Sequence, residues 1–210
     1  MSGTCVGDIE VIKKTVRQAS EWVTRRYSLN LMLILLVAAA GIFWLFNFSS
    51  LPISNRALKN LSGREGLLDL MPYYSAQQAF TALDHYGAAG RQLYLRFLAT
   101  DFVFIPIYSF GLGFLMTWIL RARPAQAASR MWLNLLPFGI GILDWTENLL
   151  ILAMLRLYPR TNLVVGTASG WVTLSKFLFT LATAIGLGYA VTMLWVQRRE
   201  SQVVGPLEKP

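Results

Sequence analysis

The chain alternates between long apolar stretches and polar connections. Four apolar windows, residues 29–48, 97–120, 131–155 and 163–196, contain only four charged side chains, although the chain has 19 Lys and Arg and 11 Asp and Glu residues. Each window reaches the length of roughly 20 residues that a helix needs to cross a hydrocarbon core about 30 Å thick. Because backbone groups in lipid must be paired within their own segment, the pattern predicts four transmembrane helices.

The fourth window is longer than a single crossing requires at a rise of about 1.5 Å per residue. We therefore expect residues 162–170 to form an approach to the membrane and the fourth helix to cover about 168–196. A membrane β-barrel is disfavoured, because its strands alternate apolar and polar residues whereas these windows are apolar on every face. The predicted fold class is an all-α integral membrane protein with one membrane domain over residues 29–196 and four transmembrane helices.

The connection over residues 49–96 is the longest polar segment, and a structureless connection of that length would be unusual. Ser75 and Gln78 have the spacing of a capping box, which predicts a short helix over residues 76–86. We expect this segment to form an outer loop whose helix lies as a cap over the outer mouth of the bundle.

Residues 1–28 form a basic leader and residues 197–210 a polar tail. The leader, the tail and the connection between the second and third windows carry 11 Lys and Arg residues, against 7 on the opposite side. This bias predicts a multi-pass protein of the cell membrane with both termini in the cytoplasm. Apolar residues among the leader's basic ones favour a helix lying on the inner leaflet, and a solvated arm is the alternative.

The formal net charge of +8 is compatible in principle with nucleic-acid binding. The positive residues flank the apolar windows, however, which is typical of topology signals and contacts with anionic lipids. We therefore expect membrane lipids, and a lipophilic small molecule, as partners rather than nucleic acid. The sequence leaves the oligomeric state open.

Cysteine and histidine each occur only once, as Cys5 and His85. A single cysteine excludes an intramolecular disulfide and a thiol oxidoreductase built on a Cys-x-x-Cys pair. A single histidine excludes a multi-histidine metal or haem site. The sequence therefore predicts neither a metal nor a cofactor.

Four ionisable residues lie inside the apolar windows: Asp101, Asp144, Glu147 and Lys176. Such residues cost about 2.5–3.5 kcal/mol each on insertion scales and normally face the interior of a bundle or water. Counting helical rise from the window ends places all four in the outer half of the bilayer. The common depth predicts that they form one site.

Spacing along the helices predicts which further side chains face this site. Asp144, Glu147 and Asn148 stand at i, i+3 and i+4 and therefore share one face of the third helix. On the fourth helix, Thr173 and Lys176 belong to a polar stripe through an otherwise apolar window.

The second helix contributes a stripe of its own, because Tyr94, Asp101 and Tyr108 repeat every seven residues. Arg91 is close to the outer boundary and is a second candidate cation. We expect Tyr94, Tyr108, Asn148, Thr173 and Arg91 to bind a substrate.

Two prolines within the windows are expected to free backbone acceptors. Pro106 removes the hydrogen bond that the carbonyl of Phe102 would receive, and Pro137 does the same for the carbonyl of Leu133. The Phe102 carbonyl is then available beside Asp101 for a ligand, a hydroxyl group or water.

Three carboxylates face one lysine in this constellation, so at least one acid is expected to be protonated beside an ionised one. That arrangement suits an acid–base enzyme acting on a lipid-like or isoprenoid substrate. Asp144 or Glu147 is then the general acid, Lys176 adjusts the acidity of the pair, and Asp101 and Tyr108 orient the substrate.

Two other functions remain open. The charges are also typical of an inert network that fixes helix register in an accessory or assembly protein. A proton-coupled carrier is the third possibility, although the chain has no inverted repeat of the kind that many transporters contain.

Overall fold

The computed structural model describes residues 3–63, 65–122 and 130–204, and the regular structure in these ranges is helical. The α-helices are α1 Gly3–Arg26, α2 Leu29–Phe48, α3 Asn55–Ser62, α4 Ala76–His85, α5 Gly87–Arg121, α6 Leu136–Leu157 and α7 Leu163–Val204. Two 3-10 helices cover Leu68–Leu70 and Met131–Leu135. The last six residues of the predicted tail, 205–210, lie outside the described residues.

Four helical segments are long and apolar enough to cross a membrane: Leu29–Phe48, Gly87–Arg121, Met131–Leu157 and Leu163–Thr192. They overlap the four apolar windows, although the second begins at Gly87, ten residues before its window, so the prediction of an all-helical chain with four candidate spans is confirmed. The segments differ in burial. In the apolar 18-residue stretch of each segment, 50% and 44% of the residues are buried in the second and third segments but only 11% in the first and fourth. The helices α5 and α6 therefore form the centre of the bundle, with α2 against α5 and α7 against α6.

The last helix begins at Leu163, five residues before its predicted start, and continues to Val204. The side chain of Asn162 explains the earlier start, because its Oδ1 accepts hydrogen bonds from the backbone N–H groups of Val164 and Val165 at 3.1 and 3.2 Å. Asparagine at this position satisfies backbone donors that a helix leaves unpaired in its first turn. The segment predicted as an approach is thus the first two turns of α7.

The leader is helical, and its final turns are packed against the bundle. Ser20 and Val23 are buried, and the Asn134 side chain donates a hydrogen bond to the carbonyl oxygen of Ser20 at 3.3 Å. Arg121 at the end of α5 donates to the carbonyl oxygen of Thr24 at 2.9 Å. These bonds attach α1 to the ends of the helices that surround it.

The long connection between α2 and α5 folds into α3, the 3-10 helix Leu68–Leu70 and α4. The predicted capping box is present: the Ser75 hydroxyl accepts from the Gln78 backbone N–H at 3.2 Å, and the Gln78 side chain accepts from the Ser75 N–H at 2.8 Å. The predicted short helix is therefore confirmed. It packs on the start of α7, where a methyl group at Gly166 would lie 2.9 Å from the Cα of Ala76.

The apolar side chains of this connection form the largest buried core together with the first turns of α5 and the end of α6. Its wholly buried members include Leu58, Leu83, Leu98 and Ile151. The connection is thus part of the packed structure, and it places the 3-10 helix Leu68–Leu70 beside α5 and α7.

Candidate functional site

Lys176 on α7 is the centre of a buried polar site. Its Nζ lies 2.5 Å from Oε2 of Glu147 and 3.0 Å from Oδ1 of Asp144, and it donates to the backbone oxygen of Asp69 at 3.2 Å. The ammonium group thus donates two hydrogen bonds, to Asp144 and to the Asp69 backbone, and is held close to Glu147 as an ion pair. We call Asp69, Asp101, Asp144, Glu147 and Lys176 the carboxylate–lysine cluster.

Glu147 is the most deeply buried member, with no exposed surface. Its Oε1 accepts a hydrogen bond from the Thr173 hydroxyl at 2.5 Å. Its Oε2 forms the ion pair with Lys176 but has no hydrogen bond of good geometry. Asp144 and Lys176 keep 12% and 11% of their side-chain surface exposed, so a second molecule can reach them, in contrast to Glu147.

Two hydrogen bonds connect α5 to the site on α6. The Asn148 side chain donates to Oδ2 of Asp101 at 2.7 Å, and the Tyr108 hydroxyl donates to Oδ2 of Asp144 at 2.8 Å. Asp101 is thus joined to the cluster through its neighbour on α6, and within the described ranges it forms no ion pair with Lys176. The structure brings all four predicted ionisable residues together, three of them in direct contact.

Asp69 is a fourth carboxylate that the sequence analysis missed. It lies in the 3-10 helix Leu68–Leu70 with 9% of its surface exposed. The Tyr94 hydroxyl donates to its Oδ1 at 3.0 Å and accepts from the Leu68 backbone N–H at 2.9 Å. Burial raises the pKa of the Asp69 carboxyl, and the positive charge of Lys176 opposes that shift.

A signal for Asp69 is present in the sequence, because this acid stands in the apolar run Leu67 to Met71 within a polar connection. The two residues before it, Leu67 and Leu68, are both buried in the core, whereas Leu70 after it is 40% exposed. An acidic residue that directly follows two core residues is itself a candidate for burial.

Four of the five residues predicted to bind a substrate contact the carboxylates. Each of the four acids accepts a hydrogen bond from a different neutral side chain. The donors to Asp69, Asp101, Asp144 and Glu147 are, in that order, Tyr94, Asn148, Tyr108 and Thr173. These bonds fix the orientation of the acids, and the role of the donors in substrate binding stays a prediction.

Arg91, the predicted second cation, is engaged elsewhere. Its Nη1 donates to the carbonyl oxygen of Leu83 at 2.8 Å, and its guanidinium lies 3.8 Å from the ring centre of Tyr158. The structure therefore joins Arg91 to the end of α4 and the end of α6, and its role in substrate binding also stays a prediction. In the described part of the chain, no three His, Cys, Asp or Glu residues are arranged to hold a metal ion.

The two prolines act differently from one another. Pro106 lies inside α5, and the freed carbonyl oxygen of Phe102 accepts a hydrogen bond from the indole N–H of Trp145 at 3.3 Å. Pro137 lies in the first turn of α6, where it interrupts no helix, and the carbonyl of Leu133 accepts from the Leu136 N–H. The expectation of a free acceptor near Pro137 was wrong because α6 begins only at Leu136.

Tyr94→Phe tests whether Asp69 is held by the hydrogen bonds seen here. The substitution leaves the Leu68 N–H and one oxygen of Asp69 without their partner in a buried site, so we expect a loss of about 1–2 kcal/mol in the free energy of unfolding. Denaturant titration in detergent micelles measures it. Tyr73→Phe, at an exposed tyrosine, is the matched control and should change little. Equal effects of the two substitutions would contradict the assigned role of Tyr94.

Comparison with known proteins provides no assignment. No family model matches the chain, and neither a curated protein nor a solved structure matches it.

Proposed function

We propose that the carboxylate–lysine cluster is the acid–base site of a membrane enzyme that acts on a lipid-like or isoprenoid substrate. The observation that supports this most is the charge imbalance, because four buried carboxyl groups and a single ammonium group lie together on three helices and the connection before α5. Lys176 balances one negative charge, so the remaining acids require protons or another cation. A site that holds exchangeable protons beside an ionised acid is suited to general acid–base catalysis.

Within this proposal Asp144 is the group that exchanges a proton with the substrate. Its side chain is partly accessible, whereas that of Glu147 is not. Lys176 and the Tyr108 hydroxyl each bind one oxygen of Asp144, which fixes the orientation of the carboxyl group. Glu147 serves mainly to hold Lys176 in place, and Asp101 acts through Asn148 as a positioning residue.

The surroundings of Asp144 favour a substrate dissolved in the bilayer. The neighbouring surfaces of α5 and α6 expose large apolar side chains, including Val103 at 62%, Trp145 at 43% and Leu149 at 57%. A membrane-spanning bundle presents such side chains to lipid. A lipophilic substrate can approach the site laterally without entering water.

A proton-coupled carrier is supported less well. Beyond Lys176, the hydroxyl groups of α7 donate to their own helix, Thr180 to the Lys176 carbonyl and Thr183 to the Phe179 carbonyl, both at 2.8 Å. These polar side chains therefore do not extend the site along the helix. A pathway through the membrane needs polar groups on both sides of the central site.

The replacement Asp144→Asn tests the proposal in a host strain that lacks the gene. The wild-type protein should restore the lipid profile of the parent strain, measured by mass spectrometry of lipid extracts. The Asp144→Asn protein should accumulate normally and fail to restore it, since loss of a general acid or base costs about a hundredfold to ten-thousandfold in rate. Asp84→Asn, at an exposed aspartate, is the matched control and should restore the profile.

Full restoration by Asp144→Asn would overturn the acid–base role and favour an accessory or assembly function. A specific observation supports that second candidate: Asn148, Thr173 and Glu147 are wholly buried and bonded within the protein, as in a network that fixes helix register. A lipid profile that is unchanged when the gene is removed would also overturn the enzyme proposal.

A further inference from the structure

A groove of about 600 Å³ lies between α1 and the 3-10 helix Met131–Leu135. One face of α1, including Lys13, Arg17 and Ser20, forms one wall, and Met131 and Trp132 contribute the other. The candidate span α2 runs along the bundle from the end of α1 to the connection that contains α3 and Asp69. The groove beside α1 therefore lies at the opposite end of the bundle from Asp69. It is therefore distinct from the carboxylate–lysine cluster.

The lining of the groove combines two cationic side chains, Lys13 and Arg17, with the carboxylate of Glu21 and with apolar surface. Within the described ranges Lys13 forms no ion pair, and Arg17 pairs only with Glu21 in an exposed geometry that leaves 82% of the arginine side chain accessible. Such an exposed pair is readily exchanged for another anion. Ile12 and Trp132, at 61% and 49% exposure, lie in the same lining. The chemistry suits a ligand with an anionic group next to an apolar body.

The floor of the groove contains a buried hydroxyl without a partner. Ser20 is 2% exposed, lines the groove, and its Oγ forms no hydrogen bond among the described residues. The neighbouring Asn134 cannot satisfy it as a donor, because its Nδ2 is shared among the Ser20 carbonyl oxygen, Thr24 Oγ1 and Thr117 Oγ1. The Oδ1 atom of Asn134 is a second buried atom without a partner within the residues described, but of the two residues it is Ser20 that belongs to the groove lining, where an acceptor from a ligand can meet its hydroxyl.

We propose that the groove binds the headgroup of one anionic phospholipid. Lys13 and Arg17 pair with the phosphate, the Ser20 hydroxyl donates to one of its oxygens, and the apolar lining contacts the start of the acyl chains. The position supports a lipid rather than a soluble anion, because α1 is joined to the candidate span α2 by only Tyr27 and Ser28. Exposed tryptophan such as Trp132 is also typical of the membrane interface.

A charge-matched pair of variants separates this site from general attraction to an anionic surface. The full chain is reconstituted in nanodiscs of phosphatidylcholine, and native mass spectrometry measures the binding of added phosphatidylglycerol. Lys13→Gln with Arg17→Gln should weaken binding about thirtyfold, since each cation near a phosphate contributes about a factor of five. The control, Lys14→Gln with Arg25→Gln, removes the same charge from α1 outside the groove lining and should stay within about twofold of wild type. Equal losses in both variants would overturn the proposal.

Ser20→Ala tests the hydroxyl and is not expected to impair folding. Without phosphatidylglycerol the melting temperature should be unchanged or higher, because the variant removes an unpaired buried hydroxyl and alanine favours a helix. The rise in melting temperature on adding phosphatidylglycerol should be smaller than in wild type. An undiminished rise would overturn the assignment, and so would displacement of the lipid by millimolar inorganic phosphate, which would identify a site for a free anion.

Discussion

Replacing Lys176 with methionine is expected to lower the free energy of unfolding by about 3–5 kcal/mol, because it leaves a buried carboxylate without its counter-ion. Glu147 has no exposed surface and loses its only ionic partner. Asp144 and the backbone oxygen of Asp69 each lose a hydrogen bond in the same step. Denaturant titration of the full chain in detergent micelles measures the change.

Two further variants show whether the effect comes from the unpaired charge. Lys176→Met combined with Glu147→Gln should be more stable than Lys176→Met alone, since the second substitution removes the uncompensated carboxylate. Arg17→Met breaks the exposed pair with Glu21 and should cost no more than about 1 kcal/mol. If the double variant were no more stable than Lys176→Met, Glu147 would not depend on Lys176 for its charge balance.

The four candidate membrane spans and the core of the cluster could be predicted from sequence because both depend on local spacing. Apolar windows of sufficient length require helices whatever their neighbours are. Asp144 and Glu147 stand three residues apart, so any helix places them on one face. Their meeting with Lys176 followed from the cost of leaving a charge in lipid.

The hydrogen-bond partners of these residues could not be predicted. Regular spacing of polar residues shows which side of a helix they share, but it does not show which neighbouring residue each of them contacts. Tyr94 was grouped with Asp101 and Tyr108, yet its hydroxyl binds Asp69 in the connection before α5. Seven residues correspond to about 10 Å of helical rise, so successive members of the stripe meet different neighbours. The position of Asp69 depends on the packing of α3, α4 and α7, which no local pattern encodes.

Gly170→Leu should separate the connection between α2 and α5 from α7 and destabilise the protein by about 2–3 kcal/mol. A Cβ at Gly170 would overlap the backbone carbonyl oxygen of Tyr74, so the substitution must push the connection away from the helix. The hydrogen bond of 2.6 Å between the hydroxyl groups of Tyr74 and Ser169 would be lost. Asp69 precedes Tyr74 by only five residues, so the backbone oxygen that Lys176 binds would move as well.

Gly188→Leu is the matched control, because it makes the same substitution in the same helix at a position where a Cβ meets no atom within 4 Å. Leucine favours a helix over glycine, so this variant should be at least as stable as the wild type. Denaturant titration compares the two free energies of unfolding, and lipid analysis of complemented strains compares function. If Gly170→Leu matched Gly188→Leu in both measurements, close contact between the connection and α7 would not be what positions Asp69. The cluster would then depend on the three helices alone, with Asp69 as a peripheral member.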